Sequence, residues 1–311
     1  MVLVKLANVA QLVDQRTCVD VSALVGSVTN MERCMDDDRV FGDVYEQIGN
    51  VTVNASAQTV FTVILGCLVA AVAVYGVVEA VRTKRPLVLV LLPTGALISI
   101  FEPITDIVGH LYIFEDGAHN AFTLAGRGMP WWVVLGHTLA WTLAGWLGCY
   151  VVSRGYSPRA VVVLGLVGVA GNILIELPVT KSGLESYFDS HPLMAFGTFP
   201  ISWSFSNMCA GIVGGAAIGA AWDWLRGWRI LAIVPLLPGA VIGGIWFAAW
   251  PMFVTMNQDY LTTSPSLWLT TPAALLTIVL ATTYTVVAGK VLCNLPGPAA
   301  ARLARSAAQA R

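Results

Sequence analysis

Three ionisable residues lie close together in a stretch that is otherwise apolar enough to cross a membrane. Glu102, Asp106 and His110 occur at four-residue intervals within the sequence FEPITDIVGH. At about 100° per residue in an α-helix, this spacing places all three within roughly 80° of each other on one helical face. An ionisable side chain at bilayer depth costs about 3 kcal/mol, so such groups usually face the bundle interior and serve a function. The pattern therefore predicts a polar site on one face of this helix.

A second buried acid is expected further along the chain. Glu176 lies in another apolar run, four residues after Asn172. Two carboxyl groups that share a low-dielectric site separate into a protonated acid and an ionised base, which is what general acid/base catalysis requires. We interpret Glu102 and Glu176 as this catalytic pair, with Asp106 as a third catalytic candidate.

Other polar and aromatic residues near these acids are candidates for supporting roles. A histidine can relay protons, an amide can orient a substrate oxygen, and aromatic rings can shelter a developing cation. The histidines and asparagines are equally compatible with structural hydrogen bonds between helices. The candidates for substrate binding or support are His110, His137, Asn172, Asn207, Trp132 and Trp203.

Two prolines interrupt the helix that carries the first acids. Pro93 and Pro103 lack the N–H group that a continuous helix needs, so we expect a kink or a break there. The break should leave a carbonyl near position 99 without its helical partner, and inside a membrane such a group must find protein or cavity water. This favours a pocket beside Glu102.

The composition places the chain among polytopic membrane proteins. Hydrophobic residues make up 57% of the 311 residues, charged residues 11%, and the mean hydropathy is +0.74. The chain contains no nucleotide-binding, zinc-protease, nucleophile-elbow or basic nucleic-acid-binding motif, so we expect no nucleic-acid partner. The six cysteines show no metal-binding spacing. Whether Cys18 and Cys34 form a disulfide is left open by the sequence.

The apolar runs predict an all-α membrane protein with seven transmembrane helices. We divide the chain into an extracytoplasmic N-terminal segment (1–56), a seven-helix bundle (57–293) and a cytoplasmic tail (294–311). The predicted spans cover about 59–81, 86–113, 131–152, 160–179, 201–224, 230–254 and 267–291.

Basic residues predict the orientation of the bundle. The connections after odd-numbered spans, together with the tail, hold eleven basic residues, whereas the other connections hold only Arg127 and Lys181. The positive-inside rule then places the N-terminus outside and the C-terminus in the cytoplasm, in what we expect to be a bacterial plasma membrane. In this orientation the acids lie in the outer half, and the inner half is packed apolar helix.

The stretch FEPITDIVGHLYIFEDG, followed by FTLAGRGMPWW, resembles the EPxxDxxG and GRxMP signature of the avermectin spirocyclase-like (AveC-like) membrane proteins of actinobacteria. The resemblance covers about residues 95–135. It implies an integral membrane enzyme that shapes a lipophilic natural product, by spiroketal formation, without a redox cofactor. It marks Glu102, Pro103, Asp106, Gly109, Gly126, Arg127, Met129 and Pro130, and we add Arg127 to the supporting candidates.

The sequence is compatible with three candidate functions. The first is a cofactor-free cyclase that acts by acid/base catalysis on a lipophilic small molecule reached from the lipid bilayer. The second is a membrane-integral terpene or meroterpenoid cyclase, because the predicted architecture, seven spans around two intramembrane acids, also resembles that of such enzymes. The third is a proton-coupled transporter or sensor. A metal site formed by Glu102, Asp106 and His110 would be a weak ligand set.

Overall fold

The structure, a computed structural model, describes residues 51–188, 191–257 and 266–295. Most of the predicted N-terminal segment, most of the tail, and both Cys18 and Cys34 lie outside these residues. The described residues form eight α-helices: α1 (Ala55–Thr83), α2 (Leu87–Ile98), α3 (Glu102–Gly109), α4 (Trp131–Ser153), α5 (Pro158–Lys181), α6 (Ile201–Ala220), α7 (Ile233–Met256) and α8 (Leu267–Asn294).

Short strands occupy the connections at one end of the helices. They pair into three two-stranded antiparallel sheets, β1 with β4, β2 with β3, and β5 with β6. The apolar runs of the sequence did not predict these strands. The strands are β1 (Leu111–Ile113), β2 (Asn120–Leu124), β3 (Arg127–Pro130), β4 (Glu185–Tyr187), β5 (Met194–Ala195) and β6 (Phe199–Pro200).

The helices are those of a membrane-embedded protein. Six segments are long and apolar enough to cross a bilayer, which confirms the predominantly helical membrane architecture. Helix α4, which is the third predicted span, has 23 residues but is not among those six. The six segments are Ala55–Thr83, Leu87–Gly109, Pro158–Lys181, Ile201–Ala220, Gly227–Met256 and Leu267–Asn294.

The predicted second span consists of three pieces. Helix α2 ends at Ile98, a 3₁₀ turn covers Ser99–Phe101, and α3 begins at Glu102. The break lies where Pro103 cannot donate to the helical ladder, as predicted. The Ser99 carbonyl, which we expected to lose its partner, instead accepts a hydrogen bond from the Glu102 N–H. The tighter turn therefore pairs this carbonyl within the chain.

Helix α3 ends earlier than the sequence suggested. His110 adopts a left-handed backbone conformation (φ 53°), and its N–H bonds to the carbonyl of Asp106. A left-handed residue at this position terminates a helix, and the chain continues as strand β1. The predicted three-residue stripe is therefore wrong in its last member, since His110 leaves the helical face that carries Glu102 and Asp106.

Helix α6 lies at the centre of the bundle, and small residues let it approach α4 closely. Of its membrane-spanning window, 72% is buried. A Cβ added at Gly148 of α4 would overlap the carbonyl oxygen of Ile212, and one added at Gly215 would overlap that of Gly145. The glycine-rich run in α6 thus permits backbone-to-backbone packing.

Candidate functional site

A cavity of about 310 Å³ lies among α3, α4, α5 and α6, and the β1–β4 sheet covers one end of it. Four carboxylic acids line this cavity: Glu102, Asp106, Glu176 and Glu185. They come from three different elements: α3 supplies Glu102 and Asp106, α5 supplies Glu176, and strand β4 supplies Glu185. Most of the remaining lining is apolar or aromatic.

Glu176 and Glu185 form a hydrogen-bonded carboxyl pair. An ionised carboxylate only accepts hydrogen bonds, so one member of such a pair must be protonated. Burial raises the pKa of Glu185 well above its usual range, and the neighbouring Glu176 carboxylate raises it further. Glu185, which is 5% exposed, is therefore the protonated member and donates to Glu176.

Backbone pairing brings Glu185 to this position. Strand β4 runs antiparallel to β1, with Glu185 opposite Ile113 and Tyr187 opposite Leu111. All four residues line the cavity. The sheet therefore closes the cavity and supplies one of its buried acids at the same time.

Glu102 and Asp106 form a second hydrogen-bonded carboxyl pair, one helical turn apart on α3. The imidazole of His137 on α4 lies next to this pair, with Nε2 3.6 Å from Glu102 Oε1. Its other nitrogen, Nδ1, lies 3.1 Å from the hydroxyl of Ser99, which is fully buried in the 3₁₀ turn. The break in the second span thus positions Glu102 and also Ser99, whose hydroxyl orients His137.

A short chain of hydrogen bonds connects Glu176 to the central helix. Asn172 Nδ2 donates to Glu176 Oε1 over 3.2 Å, and Ser204 of α6 donates to Asn172 Oδ1 over 2.9 Å. Because Asn172 is held at both ends, its amide fixes the position of one oxygen of Glu176. Asn207, one turn further along α6, also lines the cavity.

Aromatic side chains form much of the cavity wall near the acids. Trp132, Trp141, Trp203 and Tyr187 all line it. A Cβ added at Gly109 would overlap the indole of Trp203, so this glycine allows α3 to lie directly on that ring. Burial raises the pKa of Tyr187 well above its usual range, and the nearby carboxylates add to this, so its hydroxyl stays protonated.

Two predicted supporting residues do not line the cavity. His110 stacks on Phe188 at 5.0 Å, and its Nε2 lies 3.3 Å from Asn257 Oδ1. Arg127 pairs with Glu115 in the β2–β3 region, and its guanidinium lies 4.4 Å from the centre of the Tyr112 ring. These contacts connect loops and helix ends to each other.

The cavity brings together eight of the ten residues singled out from the sequence: Glu102, Asp106, Glu176, His137, Asn172, Asn207, Trp132 and Trp203. Within residues 51–188, 191–257 and 266–295, no three His, Cys, Asp or Glu side chains are arranged to hold a metal ion.

Three residues that line the cavity near the acids were missed, Glu185, Tyr187 and Trp141. Ser204, which donates to Asn172, was also missed. Glu185 and Tyr187 belong to a short polar segment between predicted spans, so hydropathy gives no sign of their burial. Trp141 lies one turn after His137, and this helical spacing was a signal that could have identified it.

The chain matches no protein-family model, no curated protein and no solved structure.

Proposed function

We propose that this protein is an integral membrane cyclase that closes rings in a lipophilic natural product by general acid/base catalysis, as the resemblance to AveC-like spirocyclases implies. The observation that supports this most is the presence of two hydrogen-bonded carboxyl pairs in one mostly apolar cavity. Paired acids in a low-dielectric site supply both a proton donor and a proton acceptor. The chemistry needs no group beyond these side chains.

In spiroketal formation, a hydroxyl oxygen attacks a ketone carbon, the hydroxyl loses its proton, and the carbonyl oxygen gains one. A second hydroxyl then bonds to the same carbon. The acceptor passes its proton to the departing oxygen, which leaves as water, and the proton of the second hydroxyl restores the donor. We assign the donor role to the Glu176–Glu185 pair, because Glu185 holds a proton there. We assign the acceptor role to Glu102, whose carboxylate lies beside His137.

The orientation predicted from the basic residues completes the proposal. In it, α4 is the third of seven membrane-crossing helices, the N-terminus is outside, and the C-terminus is in the cytoplasm. The sheets and the four acids then lie toward the outer surface, and the glycine-packed end of α4 and α6 lies toward the cytoplasm.

A proton-initiated cyclisation of a prenylated substrate is the second candidate. The tryptophans on the cavity wall favour it, because the faces of aromatic rings stabilise a carbocation. The two candidates share Glu102 and Glu176 but differ in substrate, so a panel that contains ketone-diols and prenylated compounds separates them.

The test is turnover of such a panel by protein in proteoliposomes, followed by mass spectrometry. Glu102→Gln and Glu176→Gln should each lower turnover by about 10²- to 10⁴-fold while the protein stays folded, because each removes a positioned acid or base. The control is Asp223→Asn, which alters an exposed carboxylate paired with Arg226 and should leave turnover unchanged. Full activity in both glutamine variants would refute the proposal. Proton-coupled uptake without conversion would favour a transporter instead.

A further inference from the structure

The cavity changes in polarity along the bundle axis. Its lining on α4 runs from Trp132 to Leu147, which corresponds to about 22 Å of helix at about 1.5 Å per residue. The carboxyl groups and His137 lie near the Trp132 end. Toward the other end the lining is apolar, with Leu143, Ala144, Leu147, Leu164, Val167 and Ile212.

Part of the apolar lining is also exposed on the outside of the bundle. Leu143 is 38% exposed, Val167 62% and Ile175 57%, although all three line the cavity. Phe61 and Leu65 of α1 line it as well. These five residues define a lateral mouth, bounded by α1 and α5, with α4 behind it.

The lateral mouth lies at mid-depth of the helices. Leu143 is twelve residues from the start of α4, or about 18 Å along its axis. At that depth the surroundings of a membrane-crossing helix are hydrocarbon. The other end of the cavity is covered by the β1–β4 sheet, in which Ile113 is only 2% exposed. The shape therefore favours entry from the lipid over entry from water.

One glycine on α5 keeps the inside of the mouth open. Gly171 lines the cavity, and a Cβ added there would meet nothing within 4 Å. Packing against another helix therefore does not account for the glycine at 171. A side chain there would instead occupy the cavity.

We infer that the substrate is an amphiphile with one long apolar chain, which enters through the lateral mouth from the bilayer. Its oxygen-bearing end reaches the carboxyl pairs, and its chain lies along α4 toward Leu147. This inference rests on the proposed function for the reacting end. The position of the chain follows separately, from the apolar lining and the lateral mouth.

The experiment uses a hexadecanol analogue that carries a photoreactive diazirine on its chain. The protein in proteoliposomes is irradiated with this probe, and the labelled residues are identified by mass spectrometry. Wild-type protein should be labelled on the cavity-lining residues of α4 and α5. Gly171→Leu, which fills the mouth, should reduce this labelling about tenfold, equivalent to about 1.4 kcal/mol of binding free energy. Gly171→Ala should give a smaller reduction.

The matched control is Gly243→Leu. Gly243 is also a helical glycine at which an added Cβ meets nothing within 4 Å, but it lies on α7 and does not line the cavity. The cavity of the Gly243→Leu variant should be labelled as strongly as that of the wild type. Equal cavity labelling in Gly171→Leu and Gly243→Leu would overturn the inference, and so would labelling confined to lipid-facing surfaces.

The outcome separates this inference from the proposed function. Cavity labelling that Gly171→Leu removes, combined with full turnover in both glutamine variants, would refute the cyclase but keep the amphiphile site. Turnover that depends on Glu102 and Glu176, without cavity labelling by the probe, would keep the cyclase and refute the long-chain substrate.

Discussion

The two ends of the helix bundle differ in what fills the space between their helices. At the end covered by the sheets, side chains line a cavity that contains four carboxylic acids. At the opposite end, glycines bring the α4 and α6 backbones into direct contact. The aliphatic side chains of Ile218, Leu225, Ile233 and Leu237 are fully buried there.

This difference shows how a polar cavity can persist among apolar helices. Burying acids among apolar side chains costs free energy, which favours collapse of the cavity or entry of water. Rigid elements must therefore hold the acids in place. The close contacts of α4 with α6 fix both helices at one end. The same helices then carry His137, Asn207 and the cavity tryptophans at fixed positions at the other end.

The largest effect on stability is expected from an added methyl group at the packed end. Gly148→Ala should lower the free energy of unfolding by about 3 kcal/mol, because its Cβ would overlap the backbone of α6. The same change at the cavity end, Gly171→Ala, should be neutral or slightly stabilising, since that Cβ meets nothing. Thermal unfolding in detergent measures both. Equal losses of stability in Gly148→Ala and Gly171→Ala would contradict the difference between the two ends of the bundle.

The cavity end should make the free energy of unfolding depend on pH, because it contains the buried carboxyl of Glu185. The pKa of Glu185 is raised in the folded protein, so this carboxyl keeps its proton at pH values where the unfolded chain has lost it. Stability should therefore fall as pH rises from the ordinary carboxyl range toward the raised value, by at most about 1.4 kcal/mol per pH unit.

Glu185→Gln isolates this effect, because glutamine does not titrate. Its unfolding free energy, measured between pH 5 and 8, should decline less steeply with pH than that of the wild type. Identical slopes in the two proteins would show that Glu185 does not carry the raised pKa.

The smallest expected effect lies in the β2–β3 hairpin next to the cavity. Ala125 and Gly126 at its turn both have positive φ, 53° and 74°. Glycine adopts this conformation without the steric cost that alanine meets, so Ala125→Gly should stabilise the protein by up to about 1 kcal/mol. Gly126→Ala should destabilise it by a similar amount. Chemical denaturation of the two variants measures this, and a loss of stability in Ala125→Gly would contradict the assigned turn.

Several features of the fold could be predicted because their causes are local. Long apolar runs predict membrane helices, and Pro103 predicts the break beside Glu102, since each signal lies within a few residues of its effect. The end of α3 could not be predicted in this way. His110 continues the four-residue spacing, but contacts with Phe188 and Asn257, which are distant in the sequence, accompany its left-handed conformation.

Hydropathy and spacing are properties of neighbouring residues, so they were enough to predict a helical membrane protein with intramembrane acids at Glu102, Asp106 and Glu176. The groups that meet those acids could be identified only from the packing of the folded chain. Glu185 reaches Glu176 because strand β4 pairs with β1. His137 reaches Glu102 because α4 packs beside the broken second helix. Both contacts join residues far apart in the chain, and the physical reason for each is the packing of whole elements.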